Sequence, residues 1–352
     1  MTGSMKAGFL VTRNNIEIRE IPIPQPKPGE VLIRIRHAGV CGSDIHFYQM
    51  LGERGWECPI PFVLGHECGG EIVEMGADVK GLKAGDIVAV EPGYPCGKCE
   101  YCRDGRYNLC LDMHYMTAAR KGDPPVTHGC YSEYICWPAQ WVYKMPAGLD
   151  TIDACLTEPL AVGFYAAITA GAHFTQTAMV FGAGTIGLVT LLALKALGVT
   201  DIIISDVVQS RLDLAMELGA SLAVRADKDS VVDEVKRFTN KRRADIVFEP
   251  AGAVAATQQT IDVAARGGRI VLVGMTPQTI IPYDTGKLLW NEVELTGILR
   301  YRHCYPPAIK ALAEGAPARR LLTGTFPLEK INDAFNKAIT DKSNSLKLMI
   351  EM

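Results

Sequence analysis

Residues 31–36 alternate in character: Val31, Ile33 and Ile35 are apolar, Arg34 and Arg36 charged. A period of two predicts a half-buried strand, because successive strand side chains face opposite ways. Ahead of it, "IPIPQPKPGE" is too rich in proline for regular structure and predicts a connection. "GLKAGDIVAVEP" predicts a turn followed by a strand, and "GCYSEYICWP" alternates again. Gly and Pro recur at short intervals through this half, which predicts a small, irregular β-barrel. "GVCGSDIHFY", straight after the first of these strands, predicts a loop.

Near residue 155 the pattern changes. "EPLAVGFYAAITAGA" predicts a helix. After it, apolar strands ("TAMVFGAG", "DIIISD", "SLAVRA", "ADIVFEPAG", "GRIVLVGM") alternate with helical stretches such as "TIGLVTLLALKALG" and "VAATQQTIDVAARG". Continuous apolar strands are those of a parallel sheet covered on both faces. The predicted class is therefore α/β plus β, a barrel interrupted by a doubly wound parallel sheet. "LEKINDAFNKAI" and "SLKLMIE" predict a helix and a strand that return to the first domain. The expected domains are residues 1–156 with 297–352, and residues 157–296.

Composition narrows the function. The 352 residues are 48% hydrophobic and 21% charged, enough for sizeable cores and unlike a disordered chain. A net charge of −3 with no long basic run recommends neither nucleic acid nor a membrane surface as partner. No uninterrupted apolar run nears the roughly 18 residues of a membrane span. "MTGSMKAGFLVTRNN" lacks a signal-peptide order, and Met5 reads as the native start behind a short leader. Eleven cysteines, an odd number, argue against a disulfide scaffold and for a cytoplasmic protein that uses thiols for metal.

"VFGAGTIG" sets Gly182, Gly184 and Gly187 in G-x-G-x-x-G spacing between an apolar strand and a long apolar helix. In that context the glycines let backbone N–H groups at the helix N-terminus approach a pyrophosphate. The alternative is a glycine turn that binds nothing. Asp206 follows Gly187 by nineteen positions at the end of "IIISD". An acid there accepts hydrogen bonds from the adenosine ribose and repels a 2′-phosphate, which favours NAD over NADP. Arg211, nearby, pulls the other way.

"CGKCEYCRDGRYNLC" places Cys96, Cys99, Cys102 and Cys110 in a lobe of about residues 93–112. Four thiolates suit a closed, structural zinc; an iron–sulfur cluster is the rival. Cys41 and "LGHECGG" offer a second set of ligands, a thiolate, the imidazole of His66 and the carboxylate of Glu67. Three protein ligands leave an open position for chemistry. Adjacent residues can share a metal only at a turn, which the flanking glycines permit. Each of these residues alone is as readily an ordinary buried one. Cys68 is the rival ligand, although its small neighbours favour packing. Cys58, Cys130, Cys136, Cys155 and Cys304, and His37, His114, His128, His173 and His303, fall in no ligand-like spacing.

"GVCGSDIH", "GHECGGEIVEMG", "GDIVAVEP", the four-cysteine lobe, "EPLAVG" and "FGAGTIG" together resemble the zinc-dependent medium-chain dehydrogenases, over nearly the whole chain. The resemblance implies a GroES-like catalytic domain interrupted by a Rossmann domain that binds NAD. "TEPLAVG" and "GILRYRHCYPPAI" resemble the sorbitol (L-iditol, xylitol) dehydrogenase branch. By that resemblance Cys41, His66 and Glu67 bind a catalytic zinc, with Glu158 either a ligand or held through the metal's water. Ser43 and His46 match a proton relay, which passes the proton outward through the cofactor ribose. Arg300 and Tyr301 match substrate residues, and Phe47 stands where the branch often has tyrosine. Ile186, Asp206, Arg211, Val273, Gly274, Met275, Ile298, Leu299 and Arg300 match cofactor contacts. The implied protein takes NAD and two zinc ions, and interconverts a polyol and its ketose as a dimer or tetramer. Dehydrogenases for butanediol, threonine or another secondary alcohol are the near rivals. A non-catalytic NAD sensor and a zinc-free quinone reductase are remote, since neither needs the metal residues.

Overall fold

The computed structural model describes residues 2–53, 60–117, 129–276, 278 and 280–352. It forms two compact units, Met1–Glu158 with Arg319–Met352, and Pro159–Ala318.

The first unit begins with β1 (Ser4–Thr12) and β2 (Asn15–Pro22), an antiparallel pair. β3 (Glu30–Gly39) leads into helix α1 (Gly42–Met50). The short β4 (Phe62–Val63) pairs with β1, and β5 (Glu67–Met75) with β3. β6 (Ile87–Val90) precedes the metal lobe, which holds β7 (Gly93–Tyr94), the single turn α2 (Glu100–Arg103) and β8 (His114–Tyr115). β9 (Tyr134–Pro138) and β10 (Val142–Lys144) complete this part, and α3 (Thr151–Thr169) carries the chain across the unit boundary. β3 is the spine: Val31, Ile33 and Ile35 are fully buried and Arg34 is exposed, as the alternation predicted. Leu32 is buried as well, because β9 lies along this stretch.

The second unit contains β11 (Thr177–Phe181), α4 (Thr185–Ala196), β12 (Asp201–Asp206), α5 (Gln209–Glu217), β13 (Leu222–Arg225), α6 (Val231–Phe238), β14 (Ala244–Glu249), α7 (Val254–Val263), β15 (Ala264–Leu272), α8 (Thr285–Asn291), β16 (Glu294–Gly297) and α9 (Tyr305–Ala313). Its six strands are all parallel, in the order β13-β12-β11-β14-β15-β16. This is the doubly wound sheet, and the order reverses between β11 and β14. The chain then returns to the first unit through β17 (Leu322–Pro327), α10 (Ile331–Thr340) and β18 (Lys347–Glu351). β18 pairs antiparallel with β3, setting Met349 opposite Gly39.

Four features differ from the expectations. Residues 42–50 form a helix, not a loop. Asp44 accepts the backbone N–H of Cys41 at 3.3 Å, and Tyr48 packs on Phe335 of α10, with centroids 4.8 Å apart. Glu158 lies two turns into α3 rather than at its start. "AARG" opens β15 instead of ending α7. The second unit runs to Ala318, past the expected 296, because β16 completes the parallel sheet and α9 packs on α4. By length and composition α3 could cross a membrane, but it carries Asp153 and Glu158 and is 83% buried in the protein.

Candidate functional site

In the first unit Cys41, His66 and Glu67 each place a ligand atom within 4.8 Å of the others. Cys41 is the N-cap of α1. Gly65, at φ +95°, turns the chain just before His66, and Glu67 opens β5. A side chain at Gly65 would strike Tyr131, and a Cβ at Gly39 would lie 2.0 Å from a Glu67 oxygen. Glycine at these two places is what lets the three ligands converge.

Behind the ligands lies a second layer. His66 Nδ1 stands 3.4 Å from Asp44 Oδ1 and 3.2 Å from Thr117 Oγ1. That leaves Nε2 to meet a metal, with a carboxylate fixing the tautomer. Asp44 is itself buried and accepts the Tyr131 hydroxyl at 3.0 Å and the Gly65 N–H at 3.3 Å. Burial works against a charged His66, yet Asp44, Tyr115 and Cys41 lift its pKa well above the usual imidazole value. A pocket that draws a proton onto a buried histidine is one that favours a cation.

Lys347, at the start of β18, is buried, and its ammonium lies 2.7 and 2.8 Å from the two oxygens of Glu67. It also donates to the Val40 carbonyl at 3.1 Å. Burial opposes the charge, but Glu67, with Cys41 and Cys155, outweighs it and the pKa is raised. The carboxylate keeps further lone pairs, so a metal can share it. Neither Lys347 nor the role of Asp44 was inferred from the sequence. The available signal was one lysine beside the apolar run "LMI".

Glu158 is buried on α3 and lies outside the three-ligand group. Its helix is pinned to β5: Cys155 Sγ donates to the Glu67 carbonyl at 3.3 Å, and a Cβ at Gly69 would meet the Thr151 carbonyl at 2.1 Å. Arg319 holds the first turn of α3 through Asp150 at 2.5 Å and Asp153 at 2.6 Å. Ser43 and His46, one turn apart on α1, are half-buried. Burial, and then Lys342, keep His46 below its usual pKa. Phe47 packs edge-on against Phe62, with centroids 6.0 Å apart. Cys68 packs in the core. Cys58 and His128 lie outside the described residues.

Cys96, Cys99, Cys102 and Cys110 form the other metal-capable cluster among the described residues. Sulfur–sulfur distances of 3.4 Å (Cys99–Cys102) and 4.0 Å (Cys96–Cys102, Cys99–Cys110) bracket the roughly 3.8 Å edge of a tetrahedron with Zn–S bonds of about 2.3 Å. Backbone N–H groups of Leu111 and Cys102 draw the Cys99 thiol down, while burial and Cys99 push Cys102 up. Backbone N–H groups of Cys96 and Asp112 point at Cys110 Sγ, at 3.2 and 3.4 Å. Thiolates with N–H donors around them suit zinc.

In the second unit Gly182 takes φ +99°, Gly184 caps α4, and a Cβ on Gly187 would lie 1.8 Å from the Gly182 carbonyl. The turn therefore closes only with glycine, and the N-terminus of α4 faces the crevice where strand order reverses. Asp206 accepts the N–H of Ala183 at 2.7 Å and of Val208 at 2.9 Å, so it braces the turn. An Arg211 nitrogen lies near Gly184, and Ile186 is half-buried in the first turn of α4. Val273 and Gly274 donate to the Glu249 carbonyl at 3.0 and 2.8 Å, and Met275 and Leu299 are exposed. Ile298 donates to the Leu272 carbonyl at 3.1 Å. Arg300 sits at φ +53°, and Tyr301 is buried against Tyr305, with centroids 5.7 Å apart.

Comparison with known proteins agrees with both halves. Residues 27–147 match the alcohol dehydrogenase GroES-like domain, and residues 185–314 the zinc-binding dehydrogenase domain. Sorbitol dehydrogenase of Bacillus subtilis (strain 168) is 37% identical over 348 residues, 99% of this chain and 97% of the relative. The solved L-idonate 5-dehydrogenase of Escherichia coli K-12 superposes with a TM-score of 0.92 at 28% identity, covering 100% and 99% of the two chains. An alcohol dehydrogenase of Escherichia coli CFT073 complexed with NADH gives 0.90 at 27%, covering 99% and 100%. With a metal-ligand cluster in the GroES-like part and a glycine turn in a doubly wound sheet, the chain belongs to the zinc-dependent medium-chain dehydrogenase family, oxidoreductases that act on CH–OH groups.

Proposed function

We propose that this protein oxidises a secondary alcohol of a polyol to the corresponding ketone, and the reverse, with zinc at Cys41, His66 and Glu67 and NAD in the crevice of the second unit. The observation that carries the proposal is the convergence of those three ligand atoms within 4.8 Å, with Asp44 behind His66. The chemistry these groups supply when bound is Lewis acidity at the alcohol oxygen and acceptance of a hydride. Lys347 holds Glu67, and Asp44 presents Nε2 of His66. Ser43 takes the hydroxyl proton of the substrate. The proton then passes outward through the cofactor ribose, and His46, kept neutral near pH 7 by its lowered pKa, is the relay's other member on α1. Glu158, buried on α3 outside the three-ligand group, would complete the zinc site as a further ligand or through the metal's water, and its support is the resemblance of "TEPLAVG" to the polyol branch. For Phe47, Arg300 and Tyr301 as substrate residues, the support is the resemblance of their segments to the polyol branch. Asp206 favours NAD over a 2′-phosphorylated cofactor. Four cysteines around a second, structural zinc, a cytoplasmic location and a homo-oligomer belong to the same reading. For the last, the support is the sheet-edge strand β16 with exposed Leu295, and Leu289 and Trp290 exposed on α8.

The test is NAD reduction with sorbitol, xylitol, galactitol, 2,3-butanediol and L-threonine, with and without a chelator. At least one polyol is expected to turn over, and only without the chelator. Turnover with threonine or butanediol alone would overturn the polyol assignment. Chelator-insensitive turnover would overturn the metal.

A further inference from the structure

Glu249 ends β14, beside the point where the order of the parallel strands reverses. Glu249 is 0% exposed, and among the described residues neither carboxylate oxygen has a hydrogen-bond partner of normal geometry. Burial pushes its pKa up to about 7, against the backbone N–H groups of Ala253, Gly252 and Ala251, which favour the charged form. Among the described residues, burial and these backbone groups set that balance. β11 runs alongside with Val180 opposite Phe248, β15 pairs Leu272 with Glu249 itself, and α7 opens with Val254, Ala255 and Ala256. The charged groups of the crevice are Asp206, at the end of β12, and Arg211 on α5.

The turn that follows Glu249 touches both walls of the crevice. A Cβ on Gly182 would lie 2.9 Å from the Ala251 Cβ, and one on Gly187 3.6 Å from Pro250 Cγ. A Cβ on Gly274 would lie 2.3 Å from the Gly252 nitrogen. Glu249 thus sits under the glycine turn on one side and the segment 273–275 on the other.

We propose that Glu249 is a positioning residue of the dinucleotide crevice, and that the presence or absence of its proton sets the relative affinity for reduced and oxidised cofactor. The proposal rests on the dinucleotide reading above. NADH carries one more negative charge than NAD+, because the added hydride neutralises the pyridinium. An ionised Glu249 places a full negative charge behind the crevice, in surroundings of low dielectric, and opposes the more anionic ligand more strongly. A protonated Glu249 makes no such distinction. The sign follows: below about pH 7 the group is neutral, and above it NADH loses affinity relative to NAD+.

The test is equilibrium binding of NAD+ and NADH to the metal-loaded enzyme at about pH 6 and about pH 8.5, by calorimetry or nucleotide fluorescence. In the wild type the ratio of dissociation constants, NADH over NAD+, is expected to rise roughly three- to tenfold between the two. In Glu249→Gln, which keeps the shape, and in Glu249→Met, which removes the polar group, the rise is expected to vanish. His46 remains in both variants, and so does Glu91, a buried acid just after β6 whose pKa burial pushes up to about 7 against the Tyr107 and Tyr143 hydroxyls, so their titration is common to all three proteins. A wild-type ratio that does not move overturns the proposal. An equal rise in the variants overturns it too, even if both nucleotides bind more weakly, since that is the outcome of a purely structural role. A wild type that binds neither nucleotide overturns the dinucleotide reading, and this inference with it.

Discussion

A lysine is buried only where a partner repays its desolvation, and Lys347 has that partner in Glu67. The pair is the tightest electrostatic feature behind the three-ligand group, and it sets up a prediction at the scale of single residues. Lys347→Met is expected to destabilise the zinc-free protein by about 3–5 kcal/mol, the usual result of leaving one partner of a buried pair uncompensated. It should also enlarge the stabilisation that zinc adds, because the metal then satisfies a carboxylate that has lost its ammonium. Thermal melts with and without chelator check both parts. Equal destabilisation in the two conditions would show that Lys347 serves the fold alone. Of the site the sequence showed the candidate ligands, because His66 and Glu67 are adjacent and flanked by glycine. It did not show which carboxylate stands behind His66, since Asp44 in "GSDIH" reads as one more polar loop residue until α1 is seen to aim it.

At the scale of elements, α3 matters through its seat on β5. A Cβ at Gly69 would lie 2.1 Å from the Thr151 carbonyl, a backbone atom that cannot swing aside. Gly69→Ala must therefore move the start of α3 and with it Glu158, two turns along. A loss of about 1–3 kcal/mol in stability is expected, typical of an overpacked contact. A lowered kcat is expected as well, with the four-cysteine metal retained. Denaturant unfolding, steady-state rates and metal analysis read the three together. A variant as active and stable as the wild type would mean that the contact relaxes freely. The parallel strands were legible as unbroken apolar runs, and the long helices as apolar stretches bounded by glycine. α1 was not, because Ile45, Phe47 and Tyr48 fall on no single stripe and its cap depends on the pairing of Cys41 with Asp44. The boundary of α7 and β15 was missed for a related reason: "AARG" is compatible with either element, and the parallel partner β14 decides it.

At the scale of the whole molecule, the chain leaves the first unit at Glu158 and re-enters it at Arg319. Of the four cysteines of the metal lobe only Cys110 is buried, and a closed zinc on such thiolates contributes directly to folding. Metal analysis of the purified protein is expected to find two zinc ions per chain. In Cys99→Ser it should find about one, with a melting temperature lower by about 4–8 °C. A single zinc in the wild type would remove one of the two sites.

The sequence by itself determined the features that depend on neighbours in the chain. These are the alternation of β3, the glycine turn before α4, the spacing of the four thiols, and the adjacency of His66 and Glu67. Each follows from backbone geometry or ligand chemistry within a few residues, and none needs a distant partner. Tertiary structure alone decided what stands behind those features. Lys347 reaches Glu67 from 280 positions away because β18 pairs with β3. Glu249 is stripped of water by strands that are remote in sequence. Burial and pairing of charge are set by what the fold brings close, and a local pattern does not carry that information.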